Sequence, residues 1–117
     1  MIPLALGLLT ALACPQPSKV CVSATDDTAA ALTIALGRGK GCSEPLPVQE
    51  LIVRRAADKA ILWRFSCKDT TLSSVRYGEV PAGCTGEPAG PPAAGEALTF
   101  DVEATSGADG WLEVTPK

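Results

Sequence analysis

Histidine and asparagine are missing from all 117 residues, and aromatic side chains supply only 4% of them. Without imidazole, the chain lacks the commonest general base and the commonest nitrogen ligand for metals. Its serines therefore have no histidine to activate them, and no Ser-x-x-Lys spacing offers a lysine instead. Without asparagine there is no acceptor for N-glycosylation. Positive charge is not in excess either. Ten Lys and Arg face 13 Asp and Glu, a net charge of −3, which gives no electrostatic footprint for nucleic acid. No CxxC pair, calcium-loop run or GK[ST] phosphate loop occurs. These absences argue against an enzyme, a metal or cofactor protein and a nucleic-acid binder.

What is present begins with Met1 to Ala13, MIPLALGLLTALA, which carries no charged side chain. It is too short to span a bilayer, which needs about 20 apolar residues. It has the length and composition of the hydrophobic region of a secretory signal. Ala11-Leu12-Ala13 then presents small residues on either side of Leu12, directly before Cys14. Residues Leu9 to Cys14 resemble the lipobox of bacterial lipoproteins, with Ala11 and Leu12 exchanged relative to the usual order. That resemblance implies that the Cys14 thiol accepts a diacylglycerol and becomes the new N-terminus. Residues 1–13 are accordingly expected to be a signal peptide, 14–19 a lipidated terminus with a Pro-containing tether, and 20–117 a single folded domain.

With Cys14 set aside, Cys21, Cys42, Cys67 and Cys84 remain, an even number in a short exported chain. That is the arithmetic of a disulfide framework in an oxidising compartment. Four cysteines allow three pairings. Cys21–Cys42 and Cys67–Cys84 are expected, because each pair flanks one local segment containing a turn. Loops of roughly 20 residues closed in this way stabilise by about 3 kcal/mol each in the chain-entropy treatment.

Short apolar alternations follow one another through the rest of the chain. Val20 to Ala24, Ala30 to Leu36, Val48 to Arg55, Ala60 to Cys67, Leu72 to Tyr77, Leu98 to Glu103 and Trp111 to Thr115 read as strands. In the fourth run, Ile61, Trp63, Phe65 and Cys67 are expected on one face, with Arg64 and Ser66 opposite. Gly37 to Gly41 reads as a hairpin turn, and the Pro/Gly/Ala-rich Thr85 to Glu96 as a loop. Acids before an alanine run make Asp26 to Ala35 look helical, but Thr33 and Ile34 favour a strand. About seven strands with turns every 8–12 residues point to an all-β fold. The expected architecture is a small antiparallel sandwich, immunoglobulin- or fibronectin-like, with Trp63 in its core.

Candidate surfaces are few. Arg54, Arg55, Lys59, Arg64 and Lys68 fall on adjacent expected strands and their connections, and a solvated sheet face accounts for them. The sharper expectation is a contact patch, centred on Arg54 and Arg64, for anionic envelope material or an acidic protein. Among the aromatics that could stack on a sugar, Trp63 and Tyr77 fit a core better, whereas Trp111 shares its face with Glu113. Asp26-Asp27 and the Asp101/Glu103 pair read as solvated acids rather than as a catalytic pair.

Ile61-Leu62-Trp63-Arg64-Phe65, followed by Tyr77-Gly78-Glu79-Val80-Pro81-Ala82-Gly83 and preceded by the lipobox-like Cys14, resembles a group of small Gram-negative lipoproteins without an assigned reaction. The resemblance covers the N-terminus and roughly Val48 to Gly83. It implies an envelope location and a β-rich fold, and it transfers no catalytic residue. The expectation is a non-enzymatic, lipid-anchored module of the bacterial envelope, facing the periplasm or the surface. Its partners would be the membrane and an envelope protein or glycan, with no nucleic acid and no cofactor. The alternative is a soluble periplasmic or secreted inhibitor or carbohydrate binder that presents Trp111 or the Thr85 to Glu96 loop.

Overall fold

The computed structural model describes residues 20–117. The expected signal peptide, the Cys14 lipidation site and the tether through residue 19 lie outside the described residues. Eight strands follow: β1 Cys21–Asp26, β2 Thr33–Gly37, β3 Leu46–Arg55, β4 Ile61–Leu72, β5 Ser74–Arg76, β6 Cys84–Gly86, β7 Leu98–Ala104 and β8 Asp109–Val114. One sheet has the order β1-β2-β5 and the other β6-β4-β3-β7-β8, and every pairing is antiparallel. The chain changes sheets between β2 and β3, between β4 and β5, and again between β5 and β6. The result is the expected all-β, two-sheet sandwich, with eight strands where about seven were anticipated.

Alternation along the strands explains why the two sheets face each other. Leu51 and Val53 on β3 pair with Phe65 and Trp63 on β4, and with Val102 and Phe100 on β7. Their side chains point inward with Leu98 and Ala104, and meet Leu32, Ile34, Leu36 and Val75 from the opposite sheet in one core. A side-chain period of two puts this apolar set on one face and leaves the alternating polar residues outside. The Asp26 to Ala35 segment supports only a single 3-10 turn, Ala29–Ala31. Asp26 Oδ1 accepts hydrogen bonds from Thr28 N and Thr28 Oγ1 at 3.0 and 2.7 Å, which closes a local turn. Leu32, Ile34 and Leu36 then gain more from core burial in a strand than the alanines offer as a helix.

Both expected disulfides form, Cys21–Cys42 and Cys67–Cys84, with sequence separations of 21 and 17. The first ties the start of β1 to the Lys40–Cys42 turn. The second joins β4 to the edge strand β6. Three local expectations change. Gly37 to Gly41 does not join partner strands of one sheet. A small closed loop forms there, with Arg38 N donating to Glu44 O at 2.9 Å and Glu44 N to Arg38 O at 3.1 Å, and the chain then crosses to the other sheet. The stretch read as loop from Thr85 begins as strand, because Gly86 can lie against β4. A Cβ at Gly86 would stand 2.6 Å from Arg64 O and 3.1 Å from Phe65 Cα.

The third change concerns Ile61, which does not share the inward face of Trp63. Val53 pairs with Trp63 but Arg54 pairs with Ile61, so Leu62 is an extra residue on β4. Such a bulge reverses the facing of everything beyond it. Ile61 emerges 49% exposed, while Phe65 is 1% exposed. Replacing Phe65 by alanine should therefore cost about 3–5 kcal/mol. Replacing Ile61 should change stability by no more than about 0.5 kcal/mol. Urea unfolding of the two variants measures both.

Candidate functional site

Because the inward residues of β3, β4, β7 and β8 fill the core, their alternate residues form one outer face. Register sets its rows. Arg64, Ile52, Asp101 and Trp111 lie in line across four strands, and Glu50, Glu103 and Asp109 form a neighbouring row. Arg54 and Arg64 of the anticipated patch both lie on this face, where acids are interleaved with them. Arg54 donates to Asp101 at 2.8 Å, Arg64 to Glu50 at 3.0 Å, and Arg55 to both Asp58 and Glu96 at 3.0 Å. Each arginine lies within reach of an acid on a neighbouring strand or turn, so the positive charge is locally matched. Lys59 and Lys68 are exposed, and neither makes an ion pair among the described residues. Exposed pairs of this kind contribute only about 0–1 kcal/mol each, so their main effect is to remove a free field of one sign.

The turn beneath that network is itself polar. Asp58 is held below the usual carboxylate range, first by a hydrogen bond from Ala60 N and then by one from Arg55. Arg55 is correspondingly raised by its hydrogen bond to Asp58 and by the charges of Asp58 and Glu96. Among the described residues no polar or charged side chain is buried, and no group of three or more acids and cysteines could hold a metal ion. No helix among them is long and apolar enough to cross a membrane.

The aromatic candidates separate cleanly. Trp63 is buried, its Nε1 donates to Glu87 O at 2.9 Å, and its ring tilts against Phe65 and Tyr77 with centroids 5.2 Å away in both cases. It is the core tryptophan expected from the alternation of β4. Tyr77 is half-buried against it, and burial followed by the charge of Glu96 pushes its phenol above the ordinary value of 10.0. Trp111 alone is presented, 58% exposed on β8 beside Asp101.

Two recesses flank the Trp111 indole. One, about 330 Å³, is lined by Arg54, Ala56, Lys59, Thr99 and Asp101. The other, about 390 Å³, is lined by Val20, Asp101, Asp109 and Gly110. Asp109 and Glu113 make no ion pair among the described residues, so this end of the face is locally acidic. The alternation of β7 and β8 pointed to Asp101, Trp111 and Glu113 as outward residues. The part played by Val20 had no signal in the sequence, because its contact with Gly110 spans the whole domain.

The Thr85 to Glu96 segment is not a free presenting loop. Beyond the Trp63 bond to Glu87 O, Ala89 N donates to Gly78 O at 3.0 Å and Gly95 N to Pro116 O at 2.7 Å. Gly78 is needed for this strap. Its φ of +87° suits glycine, and any Cβ there would collide with Ala89 O. A groove of about 340 Å³ is lined by Ile61 to Ser66 of β4 and by Thr85 to Ala89.

Two spectroscopic outcomes follow. The Trp111→Phe variant should emit at shorter wavelength than the parent and resist acrylamide, because only Trp63 then fluoresces. As the single tyrosine, Tyr77 can be followed by phenolate absorbance, and its folded midpoint should lie above 10.0 and fall back to about 10 in denaturant. The sign is fixed by linkage. A folded value above the unfolded one gives stability that is complete below the unfolded value and is lost as pH rises through the folded one. Stability should therefore decline above roughly pH 10 in the parent and less so in Tyr77→Phe.

No family model, no curated protein and no solved structure matches this chain, so the chemistry of the Trp111 face has to speak for itself.

Proposed function

We propose that the protein is a non-enzymatic module of the bacterial cell envelope, exported by residues 1–13 and anchored through acylated Cys14. Its sandwich domain then stands outside the cytosol and acts by contact rather than by catalysis. The observation that carries this reading is the pairing of the cysteines. Four of the five close two disulfides within the domain, which suits an oxidising compartment. The fifth is Cys14, the residue that follows the apolar leader. A free thiol left over in such a compartment would invite wrong pairing, and acylation removes it. The fatty chains of a diacylglycerol, each burying many CH₂ groups at about 0.8 kcal/mol apiece, would make a durable anchor.

A second reading is favoured by Trp111. A soluble periplasmic or secreted binder of saccharide would use an exposed indole as a stacking surface and the flanking Asp101, Arg54 and Thr99 as hydrogen-bonding partners. The ion pairing of Arg54 and Arg64 makes a dedicated site for anionic polymer the weaker idea.

Intact-mass analysis of protein isolated from its native host, before and after reduction, separates the two. The anchored module predicts a chain that starts at Cys14 and carries lipid mass, with two bridges each taking up two hydrogens on reduction. A chain of unmodified Cys14 in the soluble fraction would favour the soluble binder, and a fully reduced chain starting at Met1 would sink both.

A further inference from the structure

Val20 and Trp111 line the same recess. Val20 is only 7% exposed. It packs so closely on Gly110 that a Cβ there would stand 2.6 Å from Val20 O and 2.9 Å from Val20 Cβ. This contact fixes where the preceding chain leaves the domain, which is beside the indole. Cys14 lies six residues before Val20. Covalent geometry limits six residues to roughly 20 Å. An acyl group on Cys14 would therefore hold the neighbourhood of Val20 within that distance of a bilayer, and the exposed side chain it brings there is a tryptophan. The indole is amphipathic, and it settles at the level of lipid headgroups.

We propose that the Trp111 face is a membrane-contact surface, the indole seating in the headgroup layer of a zwitterionic bilayer when Cys14 is acylated. This inference rests on the anchored-module reading. The choice of lipid comes from the charges around the indole. Asp101 is matched by Arg54, whereas Asp109 and Glu113 are not matched among the described residues. On the far side of the indole, Lys59 is the one cation lining the recess that makes no ion pair among the described residues. Unmatched acids are repelled by an anionic surface, so phosphatidylethanolamine and phosphatidylcholine suit this face better than phosphatidylglycerol. The acyl chains supply the holding energy, and the indole fixes which side of the sandwich faces the membrane.

The test uses full-length protein purified from membranes, its acylation read by mass, and reconstituted into phosphatidylcholine–phosphatidylethanolamine vesicles. A parallel set contains lipids brominated near the headgroup. Trp111→Phe reports the Trp63 background, which is buried and insensitive. The expected result is a blue shift and bromolipid quenching of the Trp111 component, with a severalfold drop in its acrylamide quenching. Both changes should be absent in the variant and weaker when phosphatidylglycerol is added. If the acylated protein keeps Trp111 fully open to acrylamide on vesicles, the proposal is overturned and the anchor stands, leaving the face free for a saccharide or protein. If the purified chain carries no lipid, the anchored reading falls and takes this proposal with it.

Discussion

The fold depends on β3 being buried on its inward side while hydrogen-bonded on both edges. Its neighbours β4 and β7 both pair with it over most of its length. Val48, Leu51 and Val53 are fully buried between them, beneath Ile34 and Leu36 of the other sheet. A domain of this size buries only about two thirds of its unfolded surface, so there is little spare hydrophobic energy. Everything away from β3 is correspondingly thinner. The smaller sheet has three strands, one of them three residues long, and β6 is also three residues long.

Covalent staples sit where the sheets are thinnest. Cys67–Cys84 holds the short β6 on the edge of β4, where three residue pairs alone would not keep it. Cys21–Cys42 holds the outer strand of the small sheet to the turn that carries the chain across the sandwich. Each bridge closes a loop of about 20 residues, which in the chain-entropy treatment removes unfolded-state freedom worth about 3 kcal/mol. That is a large share of the 5–15 kcal/mol typical of a folded domain. The Trp63–Glu87 hydrogen bond and the Gly78–Ala89 contact extend the same strategy to the segment after β6. A proline-rich stretch that cannot itself form a ladder is thereby kept against the core.

Much of this architecture was legible because it is local. Period-two alternation located Leu98, Phe100 and Val102 on the inward face and Thr99, Asp101 and Glu103 on the outward one, as β7 has them. The cysteine spacing gave the pairing because each bridge spans neighbouring elements. The failures share a cause. The bulge at Leu62 that turns Ile61 outward is a property of the β3–β4 register, which one strand read alone does not contain. β6 depends on the absent Cβ of Gly86 and on the distant backbone of Arg64 and Phe65. The arginines looked like a cationic cluster because Asp101 and Glu50 come beside Arg54 and Arg64 only once the strands are in register. The site was half-visible in the same sense. Outward Trp111 was readable from β8, but its neighbour Val20 comes from the other end of the domain.

Stability does not account for Trp111. Elsewhere on the outer face Arg54 and Arg64 are matched by cross-strand acids, and Ile52 between them is half-buried. At the β8 edge the pattern breaks, and a large apolar ring stands in water next to unmatched carboxylates. Threonine would suit that strand position with less apolar surface exposed. Exposing an indole gains nothing for folding, since its hydrophobic energy is realised only when something covers it. Among the described residues nothing covers the ring, and Val20, packed on Gly110, lines the recess beside it. Geometry thus couples the two ends of the polypeptide. Val20, the first described residue, sits against the edge strand whose one large side chain the fold leaves unused.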